Sequence, residues 1–588
     1  MTAVLNVEQS FTGRRWVLPE VDEDAVRATS RAANISPWLG RILTARGVAA
    51  EDAGKYLNPT LRDLMPEPFR LKDMEKAVAR AQRAIASGER IAVFGDYDVD
   101  GSSSSALLAG FLADIGCSQT IYIPDRMSEG YGPSAAALLK LKDSGIDLVV
   151  TVDCGAAAIE PLKAAHEAGL DVIVLDHHSI EAPNEWAYAQ VNPNQPGDLS
   201  GQSQLCAAGV VFLFLVALNR GLRDCGWYTS NAMTPPDLLE LVDLVGLATI
   251  CDVVPLTGIN RAFVRTALAR ISANPRPGLN AISQIAKIDG PITPYHFGYV
   301  FGPRINAGGR VGRCSLGAEL LSARDPECAM VVALQLERHN RERQAIEAII
   351  VEEAIAQAST QDNQPFLLVA GEGWHSGVVG IVAGRLKERF SKPAIAIGLE
   401  NGAGRGSARS VPGFDIGAAV RTARERGLVG NGGGHAMAAG FSLPANGLDA
   451  LREFFLEQFA QRAVGLDNDR SLELSGLVSP AGATVALIEE IAKAGPYGSG
   501  NMEPRLALPD VRVAFADVVG KDHVRMRLEG GGGRLNAIAF RAANSPLGEG
   551  LLGARGGRIH AAGTLKSDRW NGRAQVQLIV EDAASAGP

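Results

Sequence analysis

The sequence predicts an α/β protein made of a parallel-sheet domain, a long connecting helix, a smaller α/β domain and a C-terminal OB-like β-barrel. From about residue 90, short β-branched runs alternate with Ala- and Leu-rich helical stretches, which indicates parallel βαβ units. A stretch without internal Pro or Gly, roughly residues 326 to 358, predicts one helix long enough to connect two domains. Beyond about residue 470, apolar and Arg-rich positions alternate in short runs, which is typical of a small antiparallel barrel.

Length and composition narrow the class of protein. The chain has 588 residues, which at about 150 residues per domain indicates roughly three or four domains. Gly and Pro (66 and 30) together make 96 of 588 residues, too few for a low-complexity or collagen-like chain. The net charge of −8 argues against a uniformly basic nucleic-acid coat, so any site for a polyanion must be local.

Cysteine usage and the N-terminus bear on the compartment. Seven cysteines, an odd number without a CxxC pair, predict reduced thiols. The N-terminus has no cationic segment followed by an apolar run, and no stretch reaches the roughly 18 apolar residues of a membrane span. We therefore expect a cytoplasmic protein without a membrane segment.

We predict five segments along the chain. They are a helical segment (1–85), the parallel-sheet domain (86–325), the connecting helix (326–360), the smaller α/β domain (361–465) and the barrel (466–588). The Arg-rich run FGPRINAGGRVGR is expected to be a loop, and the tail after Val580 to be unstructured. Between Lys521 and Arg573, ten Lys and Arg against four Asp and Glu give a local charge of +6. Such a surface suits single-stranded nucleic acid, with a solvated barrel face as the alternative.

Acidic residues follow the predicted strands at their carboxyl ends, where open parallel sheets build their sites. They are Asp96, Asp98 and Asp100 after IAVFG, Asp153 after VVTV, Asp176 with His177 and His178 after VIVL, and Asp252 after LATIC, which is taken as a fourth strand. So many carboxylates at one sheet edge would repel one another unless cations neutralised them. Oxygen ligands with one or two imidazoles suit Mn²⁺ or Mg²⁺. Two such ions about 3.5 to 4 Å apart can activate a water for phosphodiester hydrolysis.

Each of these residues also has a structural interpretation. Asp96 alone could be the N-cap of the following helix, and the pair His177 and His178 could lie in a surface loop. Asp252 alone could end a helix before Val253. The joint placement of the whole set favours the metal site.

These residues resemble the motifs of the DHH phosphoesterase family. The likeness rests on DYDVDG, VDCG, the Asp-His-His triplet at 176–178 and CDVVPL. Further motifs, IPDRMSEGYG, RINAGGR, WHSGVVGIVAGRL, GSARS and GGGHAMAAG, are similar to the branch of the family that degrades single-stranded DNA from its 5′ end. The likeness runs from about residue 30 to the C-terminus. It implies a DHH-type parallel-sheet domain and a DHH-associated domain that covers the active site and binds substrate.

The resemblance also implies roles for individual residues. Asp153 would bridge two ions, His178 would face the scissile phosphate, and Asp176 would orient the imidazoles. The implied metal ligands are Asp96, Asp98, Asp100, Asp153, His177 and Asp252, and the implied catalytic residues are Asp98, Asp100, Asp153, His177, His178 and Asp252.

A pocket for the 5′ phosphate is implied as well. Its residues would be Arg126, Arg304, Arg310, Ser407, Arg409 and His435. Arg side chains match phosphate oxygens bidentately, and a terminal phosphate carries more charge than an internal diester. For Arg126 and Arg304 the alternative is an ion pair within the domain, and for His435 it is a structural role in a Gly-rich turn.

The predicted function is that of a 5′-to-3′ exonuclease specific for single-stranded DNA, which releases 5′-mononucleotides with two Mn²⁺ or Mg²⁺ ions in recombination and repair. The expected substrate is single-stranded DNA with a 5′ phosphate. A single-stranded-DNA-binding protein and a helicase are expected partners of a monomer. The alternatives are a DHH phosphodiesterase for short oligonucleotides or cyclic dinucleotides, a DNA-binding scaffold without metal ligands, and an inorganic pyrophosphatase, whose pattern wants a His in place of Phe94.

Overall fold

The computed structural model describes residues 3–125, 129–462, 471–570 and 573–587. The chain folds into two units. The larger comprises residues 67–252 and 267–468, and the smaller comprises residues 1–66, 253–266 and 469–588. Within the described residues, no helix has both the length and the apolar character needed to cross a membrane.

A five-stranded parallel sheet lies in the first part of the larger unit. Its strands, in spatial order, are Gln119–Tyr122, Ile91–Gly95, Leu148–Val152, Asp171–Leu175 and Ala189–Val191. Strands Ile91–Gly95 and Leu148–Val152 are buried along their whole length, as is typical of a parallel sheet between helical layers. The strands occur in the order second, first, third, fourth and fifth along the chain, so their order reverses beside the first strand.

Helices connect these strands and extend this part of the unit. They are Met74–Ser87, Val99–Asp114, Ala135–Asp143, Ile159–Glu167, Ala207–Asp224, Trp227–Ser230, Val242–Cys251, Pro277–Ile285 and Leu316–Ser322, with 3₁₀ turns at Pro68–Arg70 and Leu238–Leu241. Helix Gly258–Ala273 is divided between the two units. A continuous helix covers residues 294–311 as Pro294–His296, a π-helical segment Phe297–Phe301, and Gly302–Val311.

The predicted long helix is observed at Pro326–Ser359 and is capped by Asp325, whose carboxylate accepts a hydrogen bond from the Cys328 amide at 2.8 Å. A second five-stranded sheet follows it. In spatial order its strands are Gly432–His435, Ala438–Pro444, Ala403–Arg409, Ala394–Glu400 and Leu367–Glu372, of which the last two are parallel and the other neighbours antiparallel. Helices Val379–Phe390, Ile416–Glu425 and Leu448–Arg462 complete this domain, with a 3₁₀ turn at Ala445–Gly447.

The smaller unit contains the predicted barrel. Its strands are Gly476–Leu477, Leu506–Val519, His523–Gly530, Gly533–Ala539, Arg573–Ser585 and Arg558–Trp570 in spatial order, and pairing of Leu506–Val519 with Arg558–Trp570 closes the barrel. Two pairings, residues 476–477 with 506–507 and residues 536–538 with 577–579, are parallel, so the barrel is not wholly antiparallel as predicted. Alternate residues Val524, Met526 and Leu528 fill the interior.

Helices and a small sheet accompany the barrel. The helices are Glu23–Ala33, Pro37–Ala45, Ala53–Leu57, Leu61–Leu64, Val485–Ala492 and Pro546–Gly553, with 3₁₀ turns at Val4–Asn6 and Ala50–Asp52. Strand Arg15–Val17 pairs in parallel with Ser471–Glu473. Trp16 on this strand is fully buried and donates a hydrogen bond to the buried carboxylate of Asp582 at 2.9 Å, which ties the N-terminal strand to the barrel.

Three local predictions are wrong. The run LATIC ends helix Val242–Cys251 instead of forming a strand, so Asp252 caps a helix. The run FGPRINAGGRVGR lies mostly in helix Gly302–Val311 instead of a loop. The tail after Val580 continues strand Arg573–Ser585 instead of being unstructured.

Burial explains these differences. Helix Val242–Cys251 is apolar on every side and almost wholly buried, and such a run has no periodicity to distinguish a buried helix from a buried strand. In the Arg-rich run, Phe301 and Ile305 are fully buried, which holds a Gly-containing segment in helical form. In the tail, Ala583 is fully buried and pairs with Ala561 across the barrel.

Arg261 joins three segments of the smaller unit. The residue is 2% exposed, and its guanidinium lies 3.9 Å from the ring centroid of Tyr56. Its Nη2 donates hydrogen bonds to the carbonyl oxygens of Tyr56 (2.8 Å), Ala494 (3.2 Å) and Gly495 (2.8 Å). One buried cation therefore holds carbonyls from the N-terminal helices and from the segment before the barrel.

We predict that Arg261→Met loosens these segments, because it removes a donor from three carbonyls, of which that of Ala494 keeps a hydrogen bond from Asn501 Nδ2 at 3.1 Å. The expected cost is about 3 kcal/mol, which is about a hundredfold increase in local opening. Hydrogen exchange measured by mass spectrometry over residues 53–57 and 491–495 would detect it. The control is Arg265→Met, which removes one exposed hydrogen bond to the Leu57 carbonyl and should change exchange little. Equal exchange in both variants would contradict this account of Arg261.

Candidate metal centre

The carboxyl edge of the parallel sheet forms a crevice at its two most buried strands. Ile91–Gly95 and Leu148–Val152 are neighbours, and the strand order reverses there, which is where open parallel sheets leave room for a ligand. Asp96 directly follows the first of these strands and Asp153 directly follows the second. The fold thus brings carboxylates from distant parts of the chain to one place.

The motif DYDVDG turns sharply from the first strand into helix Val99–Asp114. The carboxylate of Asp98 accepts a hydrogen bond from the Gly101 amide at 2.9 Å, so Asp98 is the N-cap, and the capping role considered for Asp96 is wrong. Asp96 is instead buried beside it. Gly101 is needed because a Cβ there would lie 2.5 Å from the Asp96 carbonyl oxygen.

Asp100 lies on the first turn of the same helix and is 1% exposed. Its two carboxylate oxygens accept hydrogen bonds from the amides of Ala207 and Ala208, at 2.7 and 2.8 Å. These amides begin helix Ala207–Asp224, whose N-terminus carries partial positive charge. A helix end therefore orients this carboxylate and offsets part of its charge.

Asp153 occupies a strained backbone position. Its φ is +60°, in the left-handed region, which Asp tolerates better than most side chains. Such strain costs on the order of 1 kcal/mol or more and is common where a site fixes its side chains. The strain turns a buried carboxylate into the crevice, where its Oδ1 lies 3.3 Å from Nε2 of His177.

His177 Nε2 lies among three carboxylates. Besides Asp153, it is 3.7 Å from Oδ2 of Asp100 and 3.7 Å from Oδ2 of Asp252. Asp252 reaches this point from the end of helix Val242–Cys251. The arrangement surrounds one imidazole nitrogen with oxygen atoms from three separate elements.

His178 is held by Asp176, and its ring centroid lies 4.6 Å from that of His177. Its Nδ1 lies 2.7 Å from Oδ1 of Asp176, whose carboxylate also accepts hydrogen bonds from the backbone amides of His177 and Ala156. Burial alone would lower the pKa of His178, but the hydrogen bond and charge of Asp176 raise it to about 9. Asp176 thus orients the ring of His178 and contacts His177 only through its backbone.

Three groups of side chains in the crevice place their ligand atoms within 4.8 Å of one another. They are Asp153 with His177 and His178, Asp100 with His177 and Asp252, and Asp96 with Asp98 and Asp153. Asp153 and His177 each belong to two groups. Mn²⁺ binds both carboxylate oxygens and imidazole nitrogens, whereas Mg²⁺ is matched here by the carboxylate oxygens.

The charges in the crevice fit a divalent cation. Burial, followed by the charges of Asp100 and Asp98, raises the pKa of Asp153 well above its usual range. The same causes raise the pKa of Asp252 to about 9. Burial also raises the pKa of Asp100. These carboxylates are ionised together at neutral pH only if positive charge offsets their repulsion, which is what a bound divalent cation supplies.

Residues of the second sheet reach the same place. The ring of His435 is nearly parallel to that of His178, with the ring centroids 5.9 Å apart. Burial and the nearby charge of His178 lower the pKa of His435. This contact places the Gly-rich hairpin that contains His435 beside His178.

The predicted phosphate-binding residues form a second group near the cluster. Arg310 donates from Nη1 to the Gly377 carbonyl at 2.9 Å, and the charge of Asp98 acts on its guanidinium. Arg409 donates from Nη1 to Ser407 Oγ at 3.0 Å. A Cβ at Gly380 would lie 3.1 Å from both Arg409 Nη2 and Ser407 Oγ, so the start of helix Val379–Phe390 packs against this pair.

The other two predicted arginines have different outcomes. Arg304 forms an ion pair with Glu337 at 2.8 Å and donates to the Val300 carbonyl at 2.9 Å, which is the structural alternative considered for it. We therefore do not assign it to the phosphate pocket. Arg126 lies outside the described residues, and its role stays a prediction.

The structure adds residues that the sequence analysis missed. Tyr131 donates from its hydroxyl to the Asp153 carbonyl at 3.1 Å, and the same hydroxyl is 3.5 Å from Nε2 of His178. Asn192 and Asn194 donate to the carbonyls of His178 (2.8 Å) and His177 (2.6 Å). Two features of the sequence could have indicated these residues. Tyr131 lies in the motif IPDRMSEGYG, and Asn192 and Asn194 lie in the run NPN directly after strand Ala189–Val191.

Three segments of the chain match known protein families. Residues 90–245 match the N-terminal domain of the DHH family, residues 363–461 match the DHHA1 domain, and residues 475–582 match the RecJ OB domain. These matches, together with the parallel sheet and the closed barrel, confirm the predicted fold class.

Full-length relatives and solved structures agree with these matches. The single-stranded-DNA-specific exonuclease RecJ of Bacillus subtilis (strain 168) is 33% identical, with coverage of 97% of this chain and 71% of that protein. RecJ of Escherichia coli (strain K12) is 33% identical, with coverage of 96% and 98%. The crystal structure of RecJ in complex with Mn²⁺ from Thermus thermophilus matches with a TM-score of 0.79 at 29% identity, covering 97% of this chain and 79% of that one. The corresponding Mg²⁺ complex matches with a TM-score of 0.74, covering 97% and 78% at 28% identity.

We predict that the metal-free protein loses stability as pH rises from about 5 to 9. The folded state keeps protons on carboxyls such as Asp252, with a pKa of about 9, whereas the unfolded chain releases them near pH 4. His178, with its raised pKa, acts in the same direction. Melting temperatures in chelator should therefore fall over this range, and Mn²⁺ should restore them most at the high-pH end.

The variant Asp153→Asn isolates the contribution of the cluster. Asn tolerates the left-handed backbone but carries no charge, so the decline with pH in chelator should be shallower and the stabilisation by Mn²⁺ largely lost. Exposed Asp362→Asn is the matched control and should behave like the unmodified chain. A chelated protein whose melting temperature stayed level or rose from pH 5 to 9 would be incompatible with a repulsive carboxylate cluster.

Proposed function

Because this chain belongs to the RecJ family of single-stranded-DNA-specific exonucleases, we propose that it hydrolyses single-stranded DNA from the 5′ end and releases 5′-mononucleotides. The observation that carries the proposal is the set of three overlapping carboxylate and imidazole groups at the carboxyl edge of the parallel sheet. Exonucleolytic cleavage of this kind serves DNA recombination and repair.

We propose that Asp96, Asp98, Asp100, Asp153, His177 and Asp252 hold two Mn²⁺ or Mg²⁺ ions. When bound, such ions activate a water as nucleophile and stabilise charge on the leaving oxygen. Asp153 is suited to bridge them because it belongs to two of the three groups and because its carboxylate has two oxygen atoms. The amides of Ala207 and Ala208 fix the direction of the Asp100 oxygens.

His178 has a separate role in this proposal. Its Nδ1 lies 2.7 Å from Oδ1 of Asp176, and the hydrogen bond and charge of that carboxylate raise the pKa of His178. A cationic ring beside the cluster attracts the scissile phosphate without needing to bind a metal. Tyr131 and His435 contact this ring from two sides and limit its movement.

Recognition of the 5′ end rests on the residues beside the cluster. Arg310, Ser407 and Arg409 supply charged and hydroxyl donors, and a terminal phosphate offers one more ionisable oxygen than an internal diester. Arg310 follows Gly309, which packs on the ring of Tyr97 next to Asp98, and this packing supports a phosphate pocket close to the metal centre. We propose that this proximity places the first phosphodiester bond at the metals.

The proposal extends to partners and location. The basic barrel between Lys521 and Arg573 offers single-stranded DNA a positively charged surface. A single-stranded-DNA-binding protein and a helicase are the partners that supply such a substrate. We place the protein in the cytoplasm as a monomer, in keeping with its free cysteines.

The direct test uses 5′-phosphorylated single-stranded DNA labelled at either end, with Mn²⁺, Mg²⁺ or chelator, beside the matching blunt duplex. We expect mononucleotides from the 5′ label first, only with metal and only from the single strand. Release from the 3′ label, or cleavage limited to dinucleotides, would refute the proposed polarity or substrate. Tight binding without cleavage would indicate a scaffold.

We further predict that Arg409→Gln reduces the preference for a 5′ phosphate over a 5′ hydroxyl. Loss of charge-assisted hydrogen bonds to the terminal phosphate should cost about 1.5 to 3 kcal/mol, roughly 10- to 100-fold in kcat/KM for the phosphorylated substrate alone. The control is Arg424→Gln, an exposed arginine of the same domain that donates to the Gly432 carbonyl. An unchanged ratio between the two substrates would remove Arg409 from the pocket.

A further inference from the structure

Two tyrosines expose their rings on one side of the helix over residues 294–311. Tyr295 is 63% exposed and Tyr299 is 71% exposed. Their rings stack on each other, with centroids 5.0 Å apart and planes 24° from parallel. Most large aromatic side chains in a folded protein are buried. An exposed pair of rings that already stack on each other is therefore a surface on which a further aromatic ring can stack.

The tyrosine pair lies on a helix that is anchored by buried residues and that contacts the residue before Asp252. The intervening Phe297 and the following Phe301 are fully buried and anchor this part of the helix. Cys251 Sγ contacts the Phe297 carbonyl at 3.3 Å, and Cys251 immediately precedes Asp252 of the acidic cluster. The segment Phe297–Phe301 is π-helical, a rare geometry that often marks functional sites.

The same helix carries Arg310 on the same side as the tyrosines. Tyr299, Pro303 and Arg310 are four and then seven residues apart, a spacing that repeats on one helix face. At about 1.5 Å per residue, Arg310 lies about 16 Å along the axis from Tyr299. Arg304 lies on a different side of this helix, where it forms an ion pair with Glu337.

We propose that Tyr295 and Tyr299 form a stacking platform for an unpaired base of the DNA strand, a few nucleotides from the end held at Arg310. This inference rests on the proposed function and specifies where the strand runs. Unpaired bases stack on exposed aromatic rings irrespective of sequence, whereas bases in a duplex are already stacked and paired. The platform therefore contributes to the preference for single strands.

The test measures binding of a fluorescently labelled, 5′-phosphorylated oligonucleotide of 12 nucleotides to the full chain in chelator, which prevents cleavage. The double variant Tyr295→Ala with Tyr299→Ala should bind roughly tenfold more weakly, since one stacked base is lost. The variant with Phe at both positions keeps the rings and should bind normally. Phe69→Ala removes another exposed aromatic side chain (41% exposed) from the same unit and is the matched control.

Substrates with a single abasic position locate the contact. At one position along the strand, removal of the base should weaken binding to the unmodified chain roughly tenfold. The double Ala variant should bind that abasic substrate and the intact oligonucleotide equally well. Cleavage of a 5′-phosphorylated dinucleotide with Mn²⁺ should be unchanged in the variant, because so short a substrate does not reach the platform.

The outcomes separate this inference from the proposed function. Normal oligonucleotide binding by the double Ala variant, with cleavage of single-stranded DNA intact, would overturn the platform and leave the exonuclease assignment standing. An equal loss for every abasic substrate would also overturn it, since the effect would then not come from one stacked base. Failure of the unmodified chain to cleave single-stranded DNA would overturn the proposed function itself.

Discussion

Repulsion among buried carboxylates is the constraint on which this structure depends. Asp100 and Asp153 are almost fully buried, and Asp96, Asp98 and Asp252 adjoin them. Asp96, Asp98 and Asp100 come from the one turn DYDVDG, whereas Asp153 follows a strand and Asp252 ends a helix. The tertiary fold therefore brings together charges from three separate parts of the chain. The N-terminus of helix Ala207–Asp224 and the capping of helix Val99–Asp114 offset part of this charge. The remainder gives the site its affinity for divalent cations.

The elements proposed to recognise DNA pack on the elements that hold the cluster. A Cβ at Gly309 would lie 1.8 Å from the Tyr97 ring, so helix Gly302–Val311 packs directly on the DYDVDG motif. Arg310 follows that contact and reaches the Gly377 carbonyl of the DHHA1 domain. Because the same helix packs on Tyr97 and carries Arg310, packing and not a flexible loop sets the distance between Arg310 and the acidic cluster. Such preorganisation places a substrate bond without a further entropic cost.

Much of this site could be predicted from the sequence because its residues occur directly after recognisable strands. Asp153 and the Asp-His-His triplet follow short, fully apolar runs, and the sheet edge then brings them together. The sequence predicts Asp252 at the end of a strand, whereas it lies at the end of a helix and still reaches the cluster. An apolar run that is buried on all sides has no periodicity that distinguishes a helix from a strand. Arg304 and Tyr131 show the limit of the method: an ion pair to Glu337 and a hydrogen bond to the Asp153 carbonyl depend on contacts between distant segments.

The most direct test of the account is anomalous diffraction at the manganese absorption edge from crystals of the full chain equilibrated with Mn²⁺. The account predicts two peaks about 3.5 to 4 Å apart in the crevice, with oxygen atoms of the Asp153 carboxylate contacting both. A single peak at saturating Mn²⁺, or peaks only outside the carboxylate cluster, would contradict the two-ion centre.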